Sequence, residues 1–105
     1  MKLNDNKGEF ISLDEAILFT SSFQKLNPDQ LKSFFGGGNK INAILQQDNC
    51  IGIRIYNGYD DNVNQTNLII IGVDKEGEDI TSGLILERLS PCPPDCPTSS
   101  PLIKQ

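Results

Sequence analysis

The chain has 105 residues, no histidine and no tryptophan, and a formal charge of −5 at pH 7. A chain of that length suits one domain burying roughly 65% of its unfolded surface, so a hydrophobic core can form without obligatory staples. Without imidazole, Ser-His-Asp catalysis and most catalytic zinc sites are excluded.

The charge is uneven. Residues 1–57 hold six basic and six acidic side chains, whereas residues 58–105 set Lys75, Arg88 and Lys104 against eight carboxylates. Nucleic-acid binding begins with Lys and Arg on phosphates, and adhesion to anionic membranes with a basic amphipathic face. Neither partner class is expected. No stretch approaches the roughly 20 apolar residues of a membrane span, and MKLNDNKGEF lacks the apolar run of a signal peptide. The expected location is cytoplasmic.

The first predicted element is a helix over residues 12–26. Ser12 with Glu15 forms a capping-box pattern, and Leu13, Ala16, Ile17, Thr20 and Phe23 fall on one stripe at helical spacing. Asn27-Pro28 breaks that helix and starts a short second one, DQLKSFF, which Gly36-Gly37-Gly38 terminates. Asn39 caps a third helix through Ile41, Ile44 and Leu45. The glycine run followed by Asn39-Lys40 lacks the spacing of a phosphate-binding loop and follows a helix rather than a strand.

From residue 50 the periodicity becomes twofold. Ile51, Ile53 and Ile55 share one face of a strand, with Cys50, Gly52, Arg54 and Tyr56 on the other. Residues 67–74 form a second strand, apolar on both faces like a central strand with cover on each side, and the short link makes a hairpin over 50–74. Lys75-Glu76-Gly77-Glu78 is another turn. Residues 79–89 offer a third strand, interrupted by Ser82-Gly83, or a short helix. The expected fold is α+β, with N-terminal helices packed on a small antiparallel sheet. It divides into a single domain at 1–89 and an irregular Pro/Cys-rich tail at 90–105.

Cys92 and Cys96 in the tail offer three readings. A metal site needs about four ligands; only Cys50 remains as a third thiol, leaving a carboxylate to complete the set. A disulfide needs Cα atoms within about 7 Å, against roughly 12 Å for four extended polyproline steps, so Pro93-Pro94-Asp95 would have to turn. In a reducing cytosol both thiols stay free, and free, unreactive thiols rank first. Cys50, at the opening of a strand, reads as a small core hydrophobe.

The acidic turns imitate calcium loops incompletely. Asp60-x-Asn62-x-Asn64 has Gln65 and Ile71 where glycine and a bidentate Glu are required. The run from Asp74 fails likewise, with Asp79 and Ile85 at those positions. An enzyme using carboxylates alone would draw on Asp60, Asp61, Asp74 and Asp79, whose spacing does not require a shared cleft. Arg54, Tyr56 and Tyr59 are residue types favoured as interface anchors; the alternative for Arg54 is a carboxylate partner on the strand's outer face.

The motifs L-D-E-A from Leu13, G-I-R-I-Y at 52–56, I-I-G-V-D at 70–74 and C-P-P-D-C at 92–96 resemble a group of short, uncharacterised bacterial proteins with the same element order and a C-terminal CPPxC box. The resemblance implies one complete small protein and carries no activity or cofactor. The expectation is a non-enzymatic module that binds another protein or itself, with Arg54, Tyr56 and Tyr59 as its candidate surface and no cofactor. The competing expectation is a thiol-based metal- or small-ligand-binding protein using Cys92, Cys96 and Cys50.

Overall fold

A computed structural model describes residues 3–103 and shows an α+β fold. Helix α1, Leu13–Leu26, begins where the Ser12 hydroxyl accepts a hydrogen bond from the Glu15 amide at 3.1 Å, satisfying one of the orphan donors of a helix start. It ends at Asn27, whose backbone and side-chain amides both donate to the Phe23 carbonyl. Asn27 thus closes one helix instead of opening the next.

In place of the expected second helix, residues 28–30 turn and Ser33–Phe35 form a strand. Strand β1, Ser33–Phe35, pairs antiparallel with β5, Ser90–Cys92, in the register Ser33↔Cys92, Phe34↔Pro91 and Phe35↔Ser90. The partner lies more than fifty residues away in sequence, so local spacing cannot announce it. Helix α2, Gly38–Leu45, is capped by Gly37 without a side-chain bond, in place of the expected Asn39 cap.

The hairpin is present and longer than its sequence signal. Strand β2, Cys50–Asp60, pairs with β3, Gln65–Asp74, from Cys50↔Asp74 to Asp60↔Gln65, with one bulge between Cys50 and Gly52. The third strand also forms: β4, Ile85–Leu86, pairs with Ile71 and Ile70, so that β3 is central in the order β2-β3-β4. Central placement explains why β3 is apolar on both faces.

Helix α2 packs against this sheet. Ile44 is buried over the face of β3 that holds buried Ile70, and Gly72 is the gap that admits the helix. A Cβ there would lie 3.3 Å from Ile44 Cγ2, 3.0 Å from Cys50 Sγ and 2.9 Å from Gln47 Nε2. Gln47 fastens the helix end, donating to the Ile44 carbonyl at 2.9 Å and accepting from the Leu84 amide at 2.9 Å.

Ile53 pairs with Gly72, the residue beneath Ile44, and Ile55 with buried Ile70, so α2 lies on the isoleucine face, although Ile53 and Ile55 themselves are exposed. The opposite face carries Arg54 and Tyr56 and, on β3, buried Ile71 and Val73. The bulge brings Cys50 Sγ over Gly72, so Cys50 leaves the Arg54 face on which alternation places it.

The tail is less irregular than its prolines suggest. Its first residues form β5, the Lys32 amide donates to the Cys92 carbonyl at 2.7 Å, and Cys92 is 0% exposed. Further on, buried Gln24 in α1 donates to the Leu102 carbonyl at 3.0 Å. The tail therefore ties β1 and α1 together. Among the described residues no helix is long and apolar enough to cross a membrane.

Candidate interaction surface

Arg54 and Tyr56, two apart in β2, project from the same face. The turn after β3 supplies their partner. Asp74 accepts from the Glu76 and Glu78 amides, both at 3.0 Å, and Gly77 takes the left-handed φ of +85° that closes the turn. The chain then returns along β3 through the Val73↔Asp79 bridge. This brings Asp79 beside Arg54 and Tyr56: Arg54 Nη1 donates to one carboxylate oxygen and the Tyr56 hydroxyl to the other. Arg54 Nη2 adds a bond to the Gly77 carbonyl at 3.3 Å.

The electrostatics follow the geometry. Hydrogen bonding from Tyr56, and then from Arg54, holds the Asp79 carboxyl below the usual carboxylate range against an opposing desolvation effect. The same carboxylate raises the Tyr56 hydroxyl and the Arg54 guanidinium above their usual values. The group is a clamp that fastens the 74–80 turn to β2. Both Asp79 oxygens are engaged within it, so Arg54 has the carboxylate partner that the sequence allowed.

A folded-state pKa below the unfolded one adds stability above the unfolded value, about 4 for Asp, and that stability is lost as pH falls through the folded value. Asp79→Asn should therefore lower stability modestly at neutral pH, because both charged side chains remain partly solvated, and flatten the acid limb of the stability profile. Tyr56 has the opposite sign: its contribution is present below about pH 10 and lost as pH rises beyond. Urea midpoints of the two proteins across pH check this, and parallel acid limbs would dismiss the clamp.

Tyr59 lies outside this group and is exposed. Cys92 and Cys96 are joined as a disulfide with Cα atoms 4.7 Å apart, which corrects the expectation of free thiols. The 93–95 link turns, and the Asp95 amide donates to the Pro91 carbonyl at 2.9 Å. Cys50 is free and half-buried, its thiol directed to the Gly52 carbonyl at 3.2 Å. With two of the three sulfurs bonded to each other, the structure does not present a three-thiolate set. The Asp60 turn is a hairpin tip, where the Asp60 carboxylate accepts from the Asn62 amide at 2.9 Å.

The largest feature missed by residue-type reasoning is the outer face of α1. Ala16, Ile17, Thr20 and Gln24 turn towards the body of the protein, while Leu13, Leu18, Phe19, Phe23 and Leu26 are exposed, Phe19 to 57% and Leu26 to 79%. Leu13 and Phe23, expected in the buried stripe, are both exposed, Leu13 at the first position of the helix and Phe23 beside Phe19 and Leu26. The signal was present in the sequence: apolar residues at 13, 16, 17, 18, 19, 23 and 26 cover a wider arc than one packed face requires. Phe19, Phe23 and Leu26 form an exposed apolar row along one side of the helix, whereas Leu13 and Leu18 lie on other sides of it. The Cα radius of gyration, 15.3 Å, exceeds the roughly 13 Å of a compact domain of about this length.

Compared with protein-family models, curated proteins and solved structures, the chain finds no match in any of the three.

Proposed function

We propose that this protein is a non-enzymatic interaction module that binds a protein partner through the outward face of α1. The observation that carries the reading is the exposed row Phe19, Phe23 and Leu26, spaced four and three residues apart along one side of the helix. An amphipathic helix presenting anchors at this spacing suits a hydrophobic groove on a partner. Binding would remove this apolar surface from water, the dominant favourable contribution to most protein–protein association. Arg54 and Tyr56 serve the fold in this reading, and Tyr59 remains as a peripheral contact.

Phe19→Asp/Phe23→Asp tests the proposal. Because both rings are exposed, the double variant should keep the wild-type thermal midpoint and far-ultraviolet spectrum. It should lose the partner recovered by affinity capture with the unmodified chain, each anchor contributing on the order of 1–2 kcal/mol to the complex. Equal capture by both proteins, or a collapse of the fold in the variant, would refute the assignment of this face.

A further inference from the structure

Among the described residues, strand β2 forms one edge of the three-stranded sheet, with a strand neighbour on one side only. Its backbone polarity can be worked out from β3. The Gly72 carbonyl accepts from the Ile80 amide at 2.8 Å, and the Asp74 amide donates to the Glu78 carbonyl at 2.9 Å. Gly72 and Asp74 therefore direct their backbone groups away from β2. Because these directions alternate along a strand, Ile71 and Val73 face β2 and meet their register partners Arg54 and Gly52. Hence Gly52, Arg54, Tyr56 and Gly58 turn their N–H and C=O groups towards β3. Ile53, Ile55, Asn57 and Tyr59 turn theirs to the open edge.

Exposed edges are usually guarded by lysine, proline, a bulge or shortness. Strand β2 has eleven residues, with neither lysine nor proline among them, and its one bulge lies at the start. The single charge between residues 53 and 59 is Arg54, which Asp79 holds on the sheet face. Ile53 and Ile55 add exposed apolar side chains on one face, Ile55 to 53%. Among the described residues no hydrogen bond engages the outward backbone groups of 53–57, and residues 3–7 border the strand only at residues 51–54.

We propose that β2 of one molecule pairs antiparallel with β2 of a second copy through residues 53–57, about a two-fold axis at Ile55. This interface is separate from the α1 face and does not depend on the function assigned there. A two-fold axis normal to the sheet keeps like faces together and sets Ile55 opposite Ile55, Ile53 opposite Asn57 and Arg54 opposite Tyr56. All the outward groups of 53–57 then meet reciprocal partners. Sliding by one residue towards the start of β2 would place Arg54 opposite Arg54, and like charges directly opposed are destabilising. The two sheets become one continuous sheet, and two-fold pairing closes without forming a fibre. The opposite edge, β4, has only two residues.

The test combines light scattering with amide exchange on the full chain over a wide concentration range. The expected particle has twice the 11.6 kDa chain mass, and Ile55→Lys, which places a charge on the axis, should yield monomers. In the unmodified chain, the Ile53, Ile55 and Asn57 amides should gain tenfold or more protection as concentration rises, while the Arg54 and Tyr56 amides stay protected throughout. This exchange pattern decides the matter even if Ile55→Lys fails to fold. A monomer at every concentration, or a dimer whose Ile55 amide stays open, overturns the proposal. The Phe19→Asp/Phe23→Asp chain should remain dimeric. Dissociation of the dimer in that variant, with Ile55→Lys still dimeric, would assign self-association to α1 and overturn the β2 pairing.

Discussion

A chain ending at Leu89 should be markedly less stable than the full protein, although the tail it lacks is rich in proline and follows the last strand of the three-stranded sheet. Truncation removes β5, the strand that pairs with β1. It also removes Cys92, which is fully buried, and the Leu102 carbonyl that accepts from buried Gln24. With the Lys32–Cys92 and Gln24–Leu102 bonds at about 1 kcal/mol each and the apolar burial around Cys92 at about 1–2 kcal/mol, the loss comes to about 3–4 kcal/mol before the β1–β5 ladder is added. That is a large part of the roughly 5–15 kcal/mol that holds a domain together. Urea denaturation of the 1–89 chain beside the full chain measures it. Equal midpoints would mean that the tail is only an appendage, as its composition alone suggests.

The same segment shows how far the sequence can be read. The prolines of 90–97 correctly exclude a central strand, since each removes a ladder donor. A two-stranded ribbon tolerates Pro91, however, and the strand state of Ser33–Phe35 depends on that distant partner. Leu31, Phe34 and Phe35 at helical spacing, followed by three glycines, are locally indistinguishable from a short helix with its stop signal. Where structure is local, the reading holds: the Ser12 cap, the 74–78 turn and the β2–β3 hairpin each follow from residues within one turn or one ladder.

The candidate surface was legible only in part. Sequence alternation places Arg54 and Tyr56 on one face, and the structure brings both to Asp79. That contact arises because Asp79 bridges Val73 after the turn, a placement no spacing rule predicts. The exposed side of α1 is a different case. Its apolar residues are visible in the sequence, but whether a sheet covers them depends on where the helix is anchored. Gln24 and the tail anchor it by one side, leaving Phe19, Phe23 and Leu26 outside.

Gly72→Val should be the most damaging single substitution in the sheet, and Gly72→Ala should already cost about 1–3 kcal/mol, the usual penalty for overpacking a core. The three atoms nearest the missing Cβ cannot easily retreat. Ile44 is 1% exposed, Cys50 is held at the start of β2, and the Gln47 amide is fixed between the Ile44 carbonyl and the Leu84 amide. Any shift that relieves the clash lifts α2 from β3 and breaks the bond to Leu84. Gly52→Ala is the internal control: a Cβ there meets nothing within 4 Å, in a strand of the same sheet, so its effect should stay within about 0.5 kcal/mol, as at other unencumbered sites. Removing one obstacle should restore part of the loss. Cys50→Ala combined with Gly72→Ala is therefore expected to be less destabilised than the sum of the two single changes, with a coupling of about 0.5–3 kcal/mol, as for other residues in contact. Thermal or urea midpoints of the four proteins provide the cycle. Strict additivity would mean that the Cys50 sulfur is not what fills the space above Gly72.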